Sequence, residues 1–361
     1  MSPAIAILAA VFLPLAGAAV ISVTGGWPNL REAVTLVTAV TLFLVVGSLY
    51  PVVAAGGTPA LHLLDVVPGI PLAFEVEPLG MLFAAVASFL WIVNSVYSIG
   101  YMRGKGEHGQ TRFYVCFAIA IGSAMGVAFA GNAFTLFIFY EVLTLSTYPL
   151  VTHSGTDEAM RAGRTYLGIL LSTSIGLQLP AIIATWHLAG TLDFTPGGIL
   201  TGRAGDAALG MLLLIYVFGI GKAALMPLHR WLPAAMVAPT PVSALLHAVA
   251  VVKAGVFTVV KVTVYIFGID LVASLDAGQW LVWVATATLL LSSLIAMRQD
   301  NLKRRLAYST ISQLSYVVVG AMMASGAAVI GAGLQLLMHA SAKSPSSSAP
   351  APSTSPTRKR R

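Results

Sequence analysis

Apolar residues along this chain fall in windows of about 20, the length needed to cross the hydrocarbon core of a bilayer. They lie at roughly 3–24, 33–55, 78–100, 112–131, 133–152, 163–187, 207–226, 240–268, 278–297, 305–324 and 326–340, which predicts about eleven transmembrane helices and an all-α polytopic fold. Only Gly131-Asn132 separates the fourth window from the fifth, so a tight turn is expected there. Polar residues gather between the windows, and their charge is lopsided. Arg31, Arg103, Lys105, Arg112, Arg161, Arg164, Arg230, Arg298, Lys303, Arg304 and Arg305 fall in odd-numbered loops; the even-numbered loops carry Arg203 alone. By the positive-inside rule the N-terminus lies outside and loops 1, 3, 5, 7 and 9 are cytoplasmic, in a membrane of the bacterial inner-membrane type.

Composition agrees: 57% of residues are hydrophobic and 9% charged, against about a quarter charged in ordinary soluble domains. A water-soluble reading leaves most apolar residues with no core to enter. The net charge of +7 does not point to nucleic acid, because four of the basic residues are the last four positions, Arg358 to Arg361. The single cysteine, Cys116 in an apolar run, excludes a disulfide framework and a protein-supplied four-cysteine iron–sulfur site. No metal site, cofactor or catalytic centre is predicted, and no cleavable signal peptide, since the N-terminus lacks a basic region ahead of its first apolar run.

The seventh and eighth windows are interrupted. Gly219 and Gly221 flank Ile220 just before Lys222, and Pro227 follows about a turn later. Proline removes a backbone donor and clashes with the preceding turn, and freed backbone groups at membrane depth need protein or water to satisfy them. Broken helices of this kind are a sequence pointer to an ion path. The eighth window, continuous from Thr240 to Gly268, would be about 43 Å long at 1.5 Å per residue, so it tilts or extends beyond the hydrocarbon.

Within these windows sit ionisable residues that bilayers disfavour. Glu141 lies near the middle of the fifth, in FTLFIFYEVLTLSTYPLV. A lone buried acid is tolerated when neutral and hydrogen-bonded; the intramembrane lysines favour an ion pair. Lys222 is also placed to snorkel to the inner interface, but the glycines and Pro227 around it favour a break. A lysine in low dielectric can load and release a proton near neutral pH, which an arginine cannot. Gly221-Lys222 is not a phosphate loop, because no strand precedes it and Ala223 stands where a metal-binding hydroxyl should be. His247 and Lys253 are six residues apart, about 600° around a helix, and so not on one face. A single histidine there also reads as structural, whereas nothing bland explains Lys253. Lys261, nearer the outer end, is expected to snorkel. His339 and Lys343, four residues apart, share a face of the eleventh span.

The runs FIFYEVLTLSTYPLV, FGIGKAALMPLHRWLPAAMVAPTPVSALLHAVAVVKAGVF and RRLAYSTISQLSYVVVG resemble the antiporter-like, proton-translocating membrane subunits of respiratory complex I, membrane-bound hydrogenases and multisubunit cation/proton antiporters. The likeness covers roughly residues 75 to 343 and is nearest to the D-type antiporter subunits. It implies that Glu141 matches the family's fifth-helix glutamate, Lys222 the lysine of its broken seventh helix, and His247 and Lys253 the eighth-helix histidine and lysine of two branches. His339 and Lys343 then match relay positions on the eleventh helix. The family has two inverted five-helix repeats, so the first is complete here and the second truncated. Implied partners are other membrane subunits of a complex and the bilayer; the transported ions are protons, with sodium as an exchange partner. Two other classes stay open: a structural or assembly subunit that moves nothing, and a quinone-binding redox subunit.

The tail from 341, SAKSPSSSAPAPSTSPTRKRR, is low-complexity and basic and is expected to be disordered. Back-translated with permissive third bases and read one nucleotide out of phase, the codons from Ser344 encode an apolar segment. A frameshift near Lys343 is therefore the expected origin of the tail.

Overall fold

The computed structural model describes residues 1–244 and 250–348, with side chains described through Ala342. In chain order, α1 (Pro3–Val23) and α2 (Pro28–Ala54) lead into a hairpin of β1 (Ala60–Val67) and β2 (Ile70–Glu75). Next come α3 (Pro78–Gly104), α4 (Gln110–Ala128) and α5 (Ala133–Val151). A long rod follows, in which α6 (Asp157–Thr173) and α7 (Leu179–Ala189) are joined by the π-helix Ser174–Gln178. After α8 (Asp206–Gly219) the chain makes short turns that include α9 (Trp231–Ala234) and α10 (Thr240–Ala244). Then α11 (Val251–Val262) passes through the π-helix Thr263–Phe267 to α12 (Ile269–Ser274), followed by α13 (Asp276–Met297), α14 (Leu302–Met322) and α15 (Gly326–Ser348).

Local chemistry sets these boundaries. Asn132 caps α5, its side chain accepting from the Thr135 amide at 2.7 Å, and Thr156 caps α6, accepting from the Ala159 amide at 3.2 Å. Asp157 and Glu158 occupy the first turn of α6, where the helix dipole favours them. Pro180 lacks an amide and its ring would strike the carbonyl four residues back, so the rod absorbs an extra residue in the π-helix just before it. Seven described helices are long and apolar enough to cross a membrane, counting the α6–α7 rod as one. Large apolar side chains such as Leu44 and Trp283 point outward on them, about two-thirds exposed, as lipid-facing residues do.

The connections sort to two ends. At one, the hairpin bridges the α4–α5 turn at Phe74 and Ala130, Asn132 bridges Asp193, and the Ile199 amide donates to the Ile266 carbonyl at 2.8 Å. At the other, Arg31 donates to Gln110 at 2.8 Å, Arg103 to Glu32 at 2.9 Å, Arg112 to the His153 carbonyl at 3.2 Å and Lys303 to the Ala238 carbonyl at 2.8 Å. We call these the hairpin end and the basic end.

Several sequence expectations need correction. The fold is not purely helical: Pro68-Gly69 turns a short antiparallel hairpin, with Gly69 at φ +81°, and its ladder pairs Ala60 with Glu75. Within the expected span over 207–226, α8 ends at Gly219, where the sequence also placed a break. No single helix runs from Thr240 to Gly268, because Ala250, at φ −120° and ψ −68°, precedes a fresh start at Val251. At the other end α15 runs through Ser348, past the residue where the tail was expected to begin.

Candidate functional site

The centre of the molecule is the interruption that follows α8. Ile220 leaves helical geometry at ψ 62°, a single 3-10 turn spans Gly221–Ala223, and Ala224 adopts the left-handed region at φ +56°. A non-glycine residue there costs about 1–2 kcal/mol, so the surrounding contacts must hold it. Glycine is required on both sides of Ile220 by close approach. A Cβ at Gly219 would sit 2.5 Å from the Gln178 amide nitrogen, and one at Gly221 would collide with the Thr173 hydroxyl. The break is therefore seated on the π-helix of the α6–α7 rod.

Its freed backbone groups are answered by protein. The Lys222 amide donates to the Tyr140 hydroxyl at 3.1 Å, and the Trp231 indole donates to the Gly221 carbonyl at 3.0 Å. The Gly221 carbonyl also accepts from the Ala224 amide at 3.0 Å, so Trp231→Phe should cost about 0.5–1.5 kcal/mol, the net worth of one hydrogen bond. A lower thermal midpoint in detergent is the expected readout.

Lys222 has no exposed surface. Its ammonium donates to the Tyr140 carbonyl at 2.9 Å and the Thr144 hydroxyl at 2.6 Å, and it lies over the Tyr140 ring. All of these are neutral acceptors. The expected Glu141–Lys222 ion pair is not made: both Glu141 oxygens are buried without a hydrogen-bond partner among the described residues. Lys222 instead directs its ammonium to the Tyr140 carbonyl and the Thr144 hydroxyl of α5.

Two further lysines line α11. Lys253 is 1% exposed; its ammonium donates to the Leu336 carbonyl at 3.1 Å and meets His339 Nδ1 at 2.7 Å. A charged Lys253 can only donate, so His339 Nδ1 is the acceptor and its ring proton is assigned to Nε2. This joins α11 to α15 through two residues singled out from the sequence. Lys222 and α11 also touch, since a Cβ at Gly255 would strike the Lys222 and Ala223 backbone. His247 lies outside the described residues, as does the side chain of Lys343.

Lys261 does not snorkel. It is 1% exposed, and its ammonium is 2.8 Å from Glu77 Oε1 and donates to the Ala130 carbonyl at 2.7 Å. The hairpin delivers Glu77 to this place, and with no membrane-facing path the lysine stays inside. Neither Glu75 nor Glu77 was expected from the sequence, because both fall between the second and third apolar windows. The available signal was Pro78, the first residue of α3, which marks a helix start and so places Glu77 just outside it.

Residues 130–345, more than half of the chain, match the family model for the NADH:quinone oxidoreductase/Mrp antiporter transmembrane region. The A/B component of a probable K(+)/H(+) antiporter from Rhizobium meliloti is 33% identical over 315 residues, covering 84% of this chain and 30% of that protein. The NAD(P)H-quinone oxidoreductase chain 5 of a Picosynechococcus species is 30% identical over 288 residues, covering 75% of this chain and 40% of its own length. Among solved structures, a chain of the Mrp complex from Dietzia sp. DQ12-45-1b superposes with a TM-score of 0.74 at 27% identity, over 92% of this chain and 36% of that one. The chain thus spans less than half the length of these relatives.

Proposed function

From the premise that this chain belongs to the NADH:quinone oxidoreductase/Mrp antiporter transmembrane family, we propose that it carries protons across the membrane along its buried cations. It does so as one subunit of a multisubunit cation/proton antiporter or of a complex I-like quinone oxidoreductase. The observation that carries this reading is a fully buried Lys222 held by neutral oxygens at a helix break, with an unpartnered Glu141 on the facing helix.

In low dielectric an ammonium among neutral acceptors is costly, and one beside a carboxylate far less so. Movement of Glu141 toward and away from Lys222 therefore decides whether the lysine keeps its proton. When the carboxylate is away, the proton passes onward to α11, where Gly255 abuts the Lys222 backbone and Lys253 leads to His339. His247 and Lys343 are proposed as further stations on the family likeness. The broken-helix residues Gly219, Gly221 and Pro227 keep the lysine adjustable. The basic end faces the cytoplasm on the loop-charge rule, and the neighbouring subunits supply the energy, by redox chemistry or by exchange against a cation.

Glu141→Gln tests this. The variant keeps the shape and removes the charge, so the complex is expected to assemble normally and lose its proton flux in proteoliposomes. Unchanged flux would favour a structural or assembly subunit instead.

A further inference from the structure

The Lys261 pair sits at the hairpin end and takes no part in the path from Lys222 to His339. Lys261 is eight residues beyond Lys253 on α11, a rise of about 12 Å. Its ammonium is enclosed by Glu77 Oε1 at 2.8 Å, the Ala130 carbonyl at 2.7 Å and the Ala128 carbonyl at 3.5 Å, with the Phe194 and Phe257 rings at 4.7 and 5.5 Å. Glu77 is itself more than nine-tenths buried. Next to the pair is a cavity of about 110 Å³, whose walls include Glu75, Glu77, Lys261, Thr58 and Tyr265. Water takes about 30 Å³ per molecule in the liquid, so the cavity has room for a few; its walls are mostly apolar, and the polar groups of Glu75, Glu77, Thr58 and Tyr265 among them would hold the water.

A structural ion pair needs neither a cavity nor a second carboxyl. Here Glu75, the last residue of β2, stands in the cavity wall and is partly exposed to solvent. Burial, then the Glu77 charge, raises its pKa above the ordinary carboxylate value; Asp193 adds to this, while Lys261 and a hydrogen bond with Thr58 oppose it. Such a carboxyl picks up protons at a higher pH than a solvated one. It suits a group that trades protons with the medium.

We propose that Lys261, Glu77 and Glu75 form a proton port at the hairpin end, which connects the interior of α11 to the solvent on that side. The Lys261 ammonium gives a proton to the Glu77 carboxylate across their 2.8 Å contact. One N–H bond breaks, one O–H bond forms, and the pair becomes amine and carboxylic acid. That neutral intermediate leaves no uncompensated buried charge, which low dielectric favours. Glu77 then releases the proton to cavity water and recovers its charge. The Glu75 carboxylate takes it up and passes it to the medium, and the reverse order loads Lys261. The port rests on the proton-carrying reading for its use, but its titration can be measured without transport.

The test is a pH titration of the carboxyl C=O infrared band, on the full chain in lipid nanodiscs. A band is expected that titrates above the usual carboxylate range, is lost in Glu75→Gln and moves to lower pH in Glu77→Gln, which removes the like charge. In the assembled complex in proteoliposomes, Glu77→Gln should cut proton flux at least about tenfold. Glu75 is partly exposed at the end of a strand, so Glu75→Gln should fold even if Glu77→Gln does not, and it should slow flux as well. No band lost in Glu75→Gln, or flux unaltered in both variants, overturns the port. If flux depends on Lys222 but neither glutamine variant alters spectrum or flux, the port alone fails. If the band behaves as stated and flux responds to both glutamines but not to Lys222, the port stands and the Lys222 path falls.

Discussion

Lys222→Met is expected to abolish proton flux through the assembled complex, by at least about 100-fold, the low end of what a positioned proton-transfer group contributes. The fold should survive. Lys222 is fully buried and its ammonium bonds only to a carbonyl and a hydroxyl, each of which has another partner. The Thr144 hydroxyl already donates to the Tyr140 carbonyl at 3.2 Å, so neither oxygen is stranded when the ammonium goes. Replacing a buried charge with an apolar chain of similar volume is often neutral or stabilising. The amide of residue 222, which donates to the Tyr140 hydroxyl, is unchanged by the substitution. Lys222→Arg supplies the sharper comparison. It keeps the positive charge but cannot give up its proton, so a lysine needed only as a fixed cation would tolerate arginine, whereas a proton carrier would not. Flux in proteoliposomes under an imposed pH gradient measures both variants. Substantial flux in Lys222→Met sinks the assignment, and substantial flux in Lys222→Arg reduces Lys222 to an electrostatic post.

The sequence made the long helices legible because hydropathy is summed over about 20 residues and needs no knowledge of neighbours. It also marked the neighbourhood of the break, since Gly219, Gly221 and Pro227 act on their own backbone. What it could not supply were partners. Lys222 reaches across 78 residues to Thr144, Lys253 across 86 to His339 and Lys261 across 131 to Ala130. A one-residue difference along α5 separates the Tyr140 carbonyl that accepts the Lys222 proton from the Glu141 carboxylate expected to do so. No spacing rule within one helix resolves that, because it depends on how α5 is rotated against the broken segment. The snorkelling expected of Lys261 failed for a related reason. A lysine near a helix end reaches for the interface only when nothing nearer binds it, and here the hairpin folds a carboxylate back over the helix.

That rotation is fixed by packing, and Gly255 is the place where α11 meets the backbone of the broken segment. Gly255→Ala is expected to lower the thermal midpoint of the protein and to reduce proton flux together. The added methyl would meet the Lys222 carbonyl group and the Ala223 amide nitrogen, the latter at 2.5 Å. Both are backbone, so no side chain can swing aside; α11 and the 3-10 turn must separate. Overpacking of this kind costs about 1–3 kcal/mol. It acts where Ala224 is already held in a left-handed conformation, so the turn has little latitude to absorb it. Gly331→Ala on α15 is the matched control. Nothing lies within 4 Å of its added carbon, and replacing a helical glycine by alanine gains about 0.5–1 kcal/mol. Unfolding in detergent followed by circular dichroism should therefore move the two midpoints in opposite directions. Equal midpoints would mean that α11 does not press on the break. Lys222 would then owe its position to α5 and to Trp231 alone, and the proton's next step toward Lys253 would need a bridge of water instead of direct contact between the two elements.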